Sequence, residues 1–223
     1  MLERRAYRLE MRPENNDLAL AGYNIVAVVP AYRVERQIMS VLSSMPGYVR
    51  QVVVVDDDSP DSTAERVREY ARQDDRVVLL SHDRNLGVGA AMVTGFARAL
   101  EYGAQIVVKL DGDGQMPAAQ IAALLAPLVR GEADFAKGNR FRDYGSLTGM
   151  PLIRRVGNAG LSFLAKAATG YWNCFDPTNG FLAIQADMLR RIPFEKLDRS
   201  YFFEISLLGQ LYLHEAVIQD VPI

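Results

Sequence analysis

The length, composition and charge of the chain are those of an ordinary globular protein. It has 223 residues, 49% of them hydrophobic and 23% charged, and a net charge of −2. This balance predicts one α/β domain with a substantial core, and it excludes a strongly basic surface for nucleic acid. Its one cysteine, Cys174, excludes a disulfide or thiolate metal site within the chain and fits a reducing, cytoplasmic compartment. The N-terminal segment lacks the apolar stretch of a secretory signal, and no apolar run reaches the length of a membrane span.

The first half of the chain alternates between two patterns. Short, continuous apolar runs rich in valine indicate buried strands, and longer segments with one apolar face indicate helices. Strands are expected at 25–29, 51–56, 77–82 and 106–111, and helices at 33–44, 62–73, 87–103 and from Pro117 to about 130. This alternation predicts βαβ units and a mostly parallel sheet, preceded by a lead-in over residues 1–23.

The second half is less regular. Its predicted elements are strands at 133–141 and 181–185, a loop at 142–152 and helices at 154–170 and 201–216. The segment VIQDVPI at 217–223 has the pattern of a strand that enters the core, yet it stops at Ile223, so we expect either a shortened protein or an incomplete acceptor side.

Aspartates collect where two of the predicted strands end. QVVVVDDDSPDST at 51–63 places Asp56, Asp57, Asp58 and Asp61 at one exit, and LDGDGQ places a second acidic group at 111–113. Ligands of an open parallel sheet bind outside the carboxyl ends of its strands, so both groups are expected on the ligand-binding edge. The alternative is that these acids cap helices, but like charges this close favour a bound cation or an array of hydrogen-bond donors.

The Asp-x-Asp string at 111–113 predicts a site for Mg²⁺ or Mn²⁺. Alternate residues of an extended segment face the same way, so Asp111 and Asp113 can approach one hard cation, while Gly112 and Gly114 leave room for a ligand. Such an ion takes its remaining ligands from water and phosphate oxygens.

A response-regulator receiver domain is the alternative interpretation of these acids. Asp113 would be its phospho-acceptor, since Asp113-Gly-Gln-Met-Pro117 fits the string of that class. Against it, a strand precedes the first acid cluster, and about ninety residues follow that a receiver does not need.

Seven strings, in this order and spacing, resemble glycosyltransferase family 2: VVPAYRVE, VVVVDDDSPDST, HDRNLGVGAA, VVKLDGDGQ, KGNRF, FDPTNGF and YFFE. The similarity begins near residue 25 and is strongest to the dolichyl-phosphate mannosyltransferase-like branch. It implies one domain with the GT-A fold, a Rossmann-like, mostly parallel sheet flanked by helices. Residues 24–116 would bind the nucleotide-sugar and residues 117–223 the acceptor. It also implies inverting transfer from a UDP- or GDP-sugar, alternatives that the residues leave open.

The resemblance assigns donor contacts to the loops after the first strands. Tyr32 would stack on the base, and Asp57 would accept a hydrogen bond from a base N–H group. Asp56 would orient the loop after the second strand. Family members usually carry asparagine where this chain has Arg33, which is a departure from the pattern. The nucleotide-sugar residues implied are Pro30, Tyr32, Glu35, Asp57, Arg84, Asn85, Asp111 and Arg140.

The resemblance also assigns the chemistry. Asp111, Asp113 and Gln115 would hold the metal and diphosphate, with Asp113 counted among the catalytic residues beside Asp176 and Glu204. Glu204 would deprotonate an acceptor hydroxyl; the alternative is a buried acid paired with Arg140 or another cation.

The implied acceptor is a polyprenyl phosphate or a glycan built on one, in cell-envelope polysaccharide synthesis. The enzyme would then work at the inner face of the cell membrane. The apolar and basic stretch from Leu147 to Trp172, with Arg154, Arg155 and Lys166, would contact lipid phosphates, unless it is only a packed helix and a loop.

Overall fold

The computed structural model describes residues 20–139, 171, 176 and 179–223. The predictions for 1–19, 142–152 and 154–170, and most of the proposed lipid-contact stretch, lie outside these residues. The described strands are β1 Ile25–Ala31, β2 Val49–Asp56, β3 Val77–Ser81, β4 Ile106–Lys109, β5 Phe135–Asn139, β6 Leu182–Gln185 and β7 Ile218–Pro222. The described helices are α1 Ile38–Ser43, α2 Thr63–Ala71, α3 Val88–Glu101, α4 Ile121–Val129, α5 Ala186–Leu189 and α6 Phe203–Leu213.

All seven strands form one sheet in the order β3-β2-β1-β4-β6-β5-β7. β3, β2, β1 and β4 are parallel to one another, and β6 runs antiparallel between β4 and β5. β7 returns parallel to β5 at the edge. The predicted mostly parallel sheet with flanking helices is therefore confirmed. The carboxyl ends of β1, β2 and β4 lie next to one another along the predicted ligand-binding edge of the sheet.

The valine runs form strands because the sheet is covered on both faces. Along β2, Val52 and Val54 pack into one hydrophobic cluster, while Val53 and Val55 pack into a second cluster on the opposite face. Continuous burial of this kind is typical of parallel strands between two layers of helices. On one face α3 lies directly on the sheet, since a Cβ added at Gly95 would be 2.2 Å from Val28 Cγ1.

The predicted elements are present, with differences at their ends that matter for the site. α1 begins at Ile38 rather than at residue 33, because the preceding residues form the loop after β1. Pro117 precedes a short 3₁₀ turn in an extended conformation and is not the first residue of an α-helix. Among the described residues, no helix is both long enough and apolar enough to cross a membrane.

Candidate active site

A cavity of about 800 Å³ opens at the edge where β1, β2 and β4 end. It brings together residues from motifs that are far apart in the chain, as the shared edge of the sheet predicts. Of the predicted site residues, those that line the cavity are Pro30, Tyr32, Asp57, Asn85, Asp111, Asp113 and Glu204.

Four other predicted residues are not part of the cavity wall. Glu35 accepts a hydrogen bond from the backbone N–H group of Ser62 at 3.0 Å, and so contacts the neighbouring loop. Arg84 and Gln115 are exposed, and Asp176 is buried. Arg140 lies outside the described residues. The donor, metal and catalytic roles of these five residues stay predictions.

The loop after β2 holds the loop after β1 in place. The backbone N–H groups of three consecutive residues donate to it: Arg33 to Ser59 Oγ at 3.1 Å, Val34 to Thr63 Oγ1 at 3.0 Å, and Glu35 to an Asp61 oxygen at 3.4 Å. The SPDST half of the acidic motif is therefore a clamp on the first loop, a role that the sequence did not reveal.

Hydrogen bonds within this clamp stabilise the charged form of Asp61. Its burial acts to raise the pKa of the carboxyl group, but hydrogen bonds lower it further than burial raises it. Thr63 donates both its hydroxyl, at 2.6 Å, and its backbone N–H, at 3.1 Å, and Glu35 contributes its N–H. The pKa of Asp61 consequently lies below its ordinary value.

Arg33 occupies a backbone conformation that suits asparagine better. Its φ angle is 56°, in the left-handed region that asparagine tolerates well and long side chains rarely adopt. The guanidinium lies over the ring of Tyr32, 5.2 Å from the ring centroid, at the mouth of the cavity. The departure from the family pattern therefore introduces both backbone strain and a cation beside the predicted base-stacking residue.

Asp57 is held by three donors of the protein. Its Oδ1 atom contacts His82 Nδ1 at 2.7 Å and accepts from the Leu86 N–H at 2.9 Å, while Oδ2 accepts from the Gly87 N–H at 2.8 Å. His82 Nε2 in turn contacts Thr94 Oγ1 on α3 at 2.9 Å. The carboxylate is thus fixed at the start of α3, where the helix dipole favours a negative charge. The sequence gives no sign of these contacts, because the two partners of His82 lie 25 and 12 residues away.

Asp56 differs from its neighbour in having a buried oxygen that is still available. Its Oδ2 atom accepts a long hydrogen bond of 3.4 Å from the Ser59 N–H group. Its Oδ1 atom is buried and has no hydrogen-bond partner among the described residues. Buried carboxylate oxygens normally have partners, so this atom can accept a further donor.

The second acidic group lies in a turn rather than on an extended strand. β4 ends at Lys109, and the chain turns at Gly112 and Asp113, with Gly114 at a φ of 74°. The expectation that alternate residues of a strand present the two carboxylates is therefore wrong. Both side chains still line the cavity, because the turn itself lies on its wall.

These two carboxylates fit a magnesium-like ion. No group of three or more histidine, cysteine or acidic side chains in the described part of the chain is arranged to hold a metal by itself. An ion of this kind needs only one or two protein carboxylates when substrate phosphates supply other ligands. Asp111 and Asp113, exposed in part to the cavity, are such a pair.

A buried lysine connects the metal motif to the predicted base. Lys109 Nζ lies 2.7 Å from Asp111 Oδ1 and 3.0 Å from Glu204 Oε1, and the side chain of Lys109 is only 1% exposed. Burial acts to lower the pKa of Lys109, but the two carboxylates raise it above its ordinary value. Glu204 is therefore a buried acid paired with a cation, as the alternative interpretation expected, although the cation is Lys109.

The glycine of the FDPTNGF string allows this cluster to form. A Cβ added at Gly180 would lie 2.4 Å from Lys109 Nζ and 2.6 Å from Asp111 Oδ2. These distances are far below ordinary contact, so only glycine fits without a shift of the ion pairs. The sequence offered one indirect signal, a lysine inside the apolar strand VVKL just before the aspartate.

A comparison with protein families agrees with this arrangement of motifs. Residues 27–193 match the family described as "Glycosyl transferase family 2". No match favours the receiver interpretation of Asp113.

Two characterised relatives act on lipid phosphates according to their names. The chain is 30% identical over 184 residues to the UDP-N-acetylglucosamine–dolichyl-phosphate N-acetylglucosaminyltransferase of Methanococcus voltae, covering 77% of this chain and 73% of the relative. It is 29% identical over 208 residues to the polyprenol monophosphomannose synthase of Mycolicibacterium smegmatis, covering 89% of this chain and 76% of the relative.

The fold is also that of a solved glycosyltransferase. Glucosyl-3-phosphoglycerate synthase from Mycobacterium tuberculosis, crystallised with Mn²⁺, UDP and phosphoglyceric acid, superposes with a TM-score of 0.72 at 24% identity. The superposition covers 97% of this chain and 74% of the synthase. This likeness confirms the GT-A fold.

Proposed function

The chain belongs to glycosyl transferase family 2, and we propose that it transfers a sugar from a UDP- or GDP-sugar to a polyprenyl phosphate. The observation that carries this proposal is the single cavity at the end of β1, β2 and β4. There Tyr32 and Asp57 from the first two loops meet Asp111, Asp113 and Glu204. In this proposal the enzyme supplies lipid-linked sugar for cell-envelope polysaccharides and works in the cytoplasm, at the inner face of the membrane.

The donor half of the cavity has groups suited to a nucleoside diphosphate. Tyr32 is 42% exposed at the mouth and can stack on a base. Gly87 and Val88, at the start of α3, line the same cavity, and a helix N-terminus favours an anion. Asp57 already accepts three protein hydrogen bonds, so in our proposal it positions the turn before α3 as well as contacting the base.

Asp111 and Asp113 would hold the divalent ion. When bound there, Mg²⁺ or Mn²⁺ would supply Lewis-acid stabilisation of the charge on the departing nucleoside diphosphate. The protein's own part is to fix the two carboxylates: Asp111 is held by Lys109, and Asp113 Oδ1 accepts the Gln115 N–H at 3.0 Å. The solved synthase with Mn²⁺ and UDP shares this fold, which supports the proposal.

The pairing of Glu204 favours a phosphate acceptor over a hydroxyl acceptor. A sugar hydroxyl must lose a proton as it attacks, so its transfer needs a base within reach. A phosphate monoester oxygen already carries a negative charge near neutral pH, as phosphorylated side chains do, and needs none. Glu204 Oε1 is already paired with the buried ammonium of Lys109 at 3.0 Å, so this oxygen is not free to receive the proton of an acceptor hydroxyl. Glu204 remains the candidate base if the acceptor is a glycan.

The rim of the cavity offers apolar surface for a lipid chain. Tyr201 is 90% exposed and Phe202 is 60% exposed, and both line the cavity next to Glu204. Exposed neighbouring aromatics at a cavity mouth are typical of a binding surface. We propose that they contact the first isoprene units of the acceptor.

The proposal can be tested in two steps. A thermal-shift panel of UDP- and GDP-sugars, with and without Mn²⁺, should identify the donor, since stabilisation grows with ligand concentration relative to Kd. Transfer of that sugar to a polyprenyl phosphate in detergent should then leave a lipid-linked product. Transfer only to a soluble glycan, with no binding to anionic liposomes at low salt, would contradict the lipid acceptor. Phosphorylation of Asp113 by acetyl phosphate, with no nucleotide effect, would instead support the receiver alternative.

A further inference from the structure

We infer that Lys109 is a positioning residue that sets the metal affinity of the acidic turn. The inference rests on the proposed function, because it concerns the ion that Asp111 and Asp113 would hold. Lys109 is part of the cavity wall, but its side chain is only 1% exposed, so it acts through Asp111 and Glu204.

The burial of Lys109 is the first argument. An ammonium group without water is costly unless it is fully paired, and a methionine or leucine would fill the same place in a strand at no such cost. Lys109 is at the end of β4, between Val28 of β1 and Leu182 of β6, in the middle of the sheet. The groups that contact Lys109 must therefore offset the cost of burying its charge.

The contacts of Lys109 point toward the cavity. The side chain of Asp111 is 31% exposed and that of Glu204 10% exposed, whereas Lys109 is 1% exposed behind them. The ammonium therefore holds one oxygen of each acid from the inside and leaves the rest of both carboxylates facing the cavity. Gly180 closes the cluster from the other side, where its missing side chain leaves room for Lys109 and Asp111.

The charge of the cluster is the second argument. Asp111, Asp113 and Glu204 contribute three carboxylates, and Lys109 contributes one ammonium, which leaves a net charge of −2 on this wall of the cavity. That charge matches one divalent cation. Without Lys109 the wall would carry one more negative charge, and Asp111 Oδ1 would be free to bind the ion, but Asp111 and Glu204 would no longer be held in place by a shared cation.

Two measurable quantities should therefore move in opposite directions in Lys109→Met. Mn²⁺ should bind the free protein about tenfold more tightly, because a repulsive buried ammonium has been removed. Sugar transfer at saturating Mn²⁺ should fall roughly 10- to 100-fold, the usual effect of losing a group that orients a metal ligand. A lysine that acted only by orienting Asp111, with no effect of its charge on the ion, would instead give weaker Mn²⁺ binding together with slower transfer.

The experiment measures Mn²⁺ binding by calorimetry on the full chain without donor, and transfer on the same preparations. Lys109→Met leaves Glu204 buried without a partner, so the change is also made in a Glu204→Gln background, where no lone buried charge remains. Lys109→Met should tighten Mn²⁺ binding there too, relative to Glu204→Gln alone. Lys196→Met, at an exposed lysine outside the cavity wall, is the control for loss of one positive charge and should change neither quantity.

The outcomes separate this inference from the proposed function. No Mn²⁺ binding and no transfer in the unsubstituted protein would contradict the proposed function itself. Normal binding and transfer in that protein, with Mn²⁺ affinity unchanged or weaker in both Lys109→Met variants, would overturn the inference alone. Failure of both variants to fold, judged by circular dichroism, would also overturn it in favour of a structural role.

Discussion

Replacing Gly180 with alanine tests whether the acidic cluster is as tightly assembled as the distances indicate. The new methyl carbon would start 2.4 Å from Lys109 Nζ, 2.6 Å from Asp111 Oδ2 and 3.1 Å from Met116 Cε. A lysine amine at the protein surface would simply move away. Here the amine is buried and bonded to two carboxylates at 2.7 and 3.0 Å, so movement must break or lengthen an ion pair.

The expected magnitude follows from these contacts. Overpacking a buried site costs about 1–3 kcal/mol, and a hydrogen bond to a charged group contributes about 1.5–3 kcal/mol. Alanine also lowers the conformational entropy of the unfolded chain, and this effect offsets the loss of stability by about 0.4–1 kcal/mol. Gly180→Ala should therefore lower the free energy of unfolding by about 2–4 kcal/mol. For a chain of this size that corresponds to a fall in Tm of roughly 5–15 °C.

The assay compares thermal unfolding of Gly180→Ala with that of Gly209→Ala. Gly209 lies inside α6, and an added Cβ would meet no atom within 4 Å. Its replacement should therefore raise stability, by roughly 0.5–1 kcal/mol, through helix propensity alone. Transfer activity should fall with Gly180→Ala and be retained with Gly209→Ala. Equal melting temperatures and equal activities of the two variants would refute the reasoning about the cluster.

Four further changes probe other parts of the site. Arg33→Asn should raise the free energy of unfolding by about 0.5–1 kcal/mol in urea, because asparagine tolerates the φ of 56°; a lower value would mean that the Tyr32 contact outweighs the strain. Asp61→Asn should destabilise the protein at pH 7. Since the folded pKa of Asp61 is lowered, its contribution is complete above the unfolded value near 3.9 and is lost as the pH falls through the folded value, so the two urea midpoints should converge once the pH lies below both values. Asp113→Ala should abolish Mn²⁺-dependent transfer with unchanged circular dichroism, and full activity would exclude it from the metal site. His82→Phe should raise the Kd for the nucleoside diphosphate roughly tenfold or more, the value of a charged hydrogen bond to Asp57, with partial recovery in His82→Gln; calorimetry showing no change would remove His82 from the donor site.

The sheet and its ligand-binding edge could be predicted because they depend on local patterns. A run such as VVVV is stable only as a strand covered on both faces, and a parallel sheet places its strand ends together whatever the loops contain. The sequence therefore predicts Asp57, Asp111 and Asp113 at one edge, and in the structure they line one cavity. The sequence does not predict the helix boundary at Ile38, because residues 33–35 form hydrogen bonds with another loop.

The partners within the site could not be predicted from the sequence, since they join residues that are distant in the chain. Lys109 and Glu204 are 95 residues apart, and which acid meets a buried lysine depends on how α6 packs beside β4. His82 reaches Asp57 across 25 residues for the same kind of reason. The family resemblance predicts which acidic residues belong to the site, but it does not predict which residues hold their side chains in place.

The aspartates after β2 differ in the number of hydrogen-bond donors that surround each of them. Asp61 accepts from two residues of the protein and holds the first loop, and Asp57 accepts from three and fixes the start of α3. Asp56 retains a buried oxygen without a described partner, although the family resemblance assigns it only the orientation of the loop. In a cluster of like charges, the carboxylates that folding already satisfies stabilise the scaffold, while an oxygen without a partner can accept a further donor. By this criterion a base N–H group would be recognised by the unsatisfied oxygen of Asp56 or the last lone pair of Asp57. Binding of nucleosides to Asp56→Asn and Asp57→Asn, measured in parallel, distinguishes the two: the larger loss of affinity identifies the acid that contacts the base.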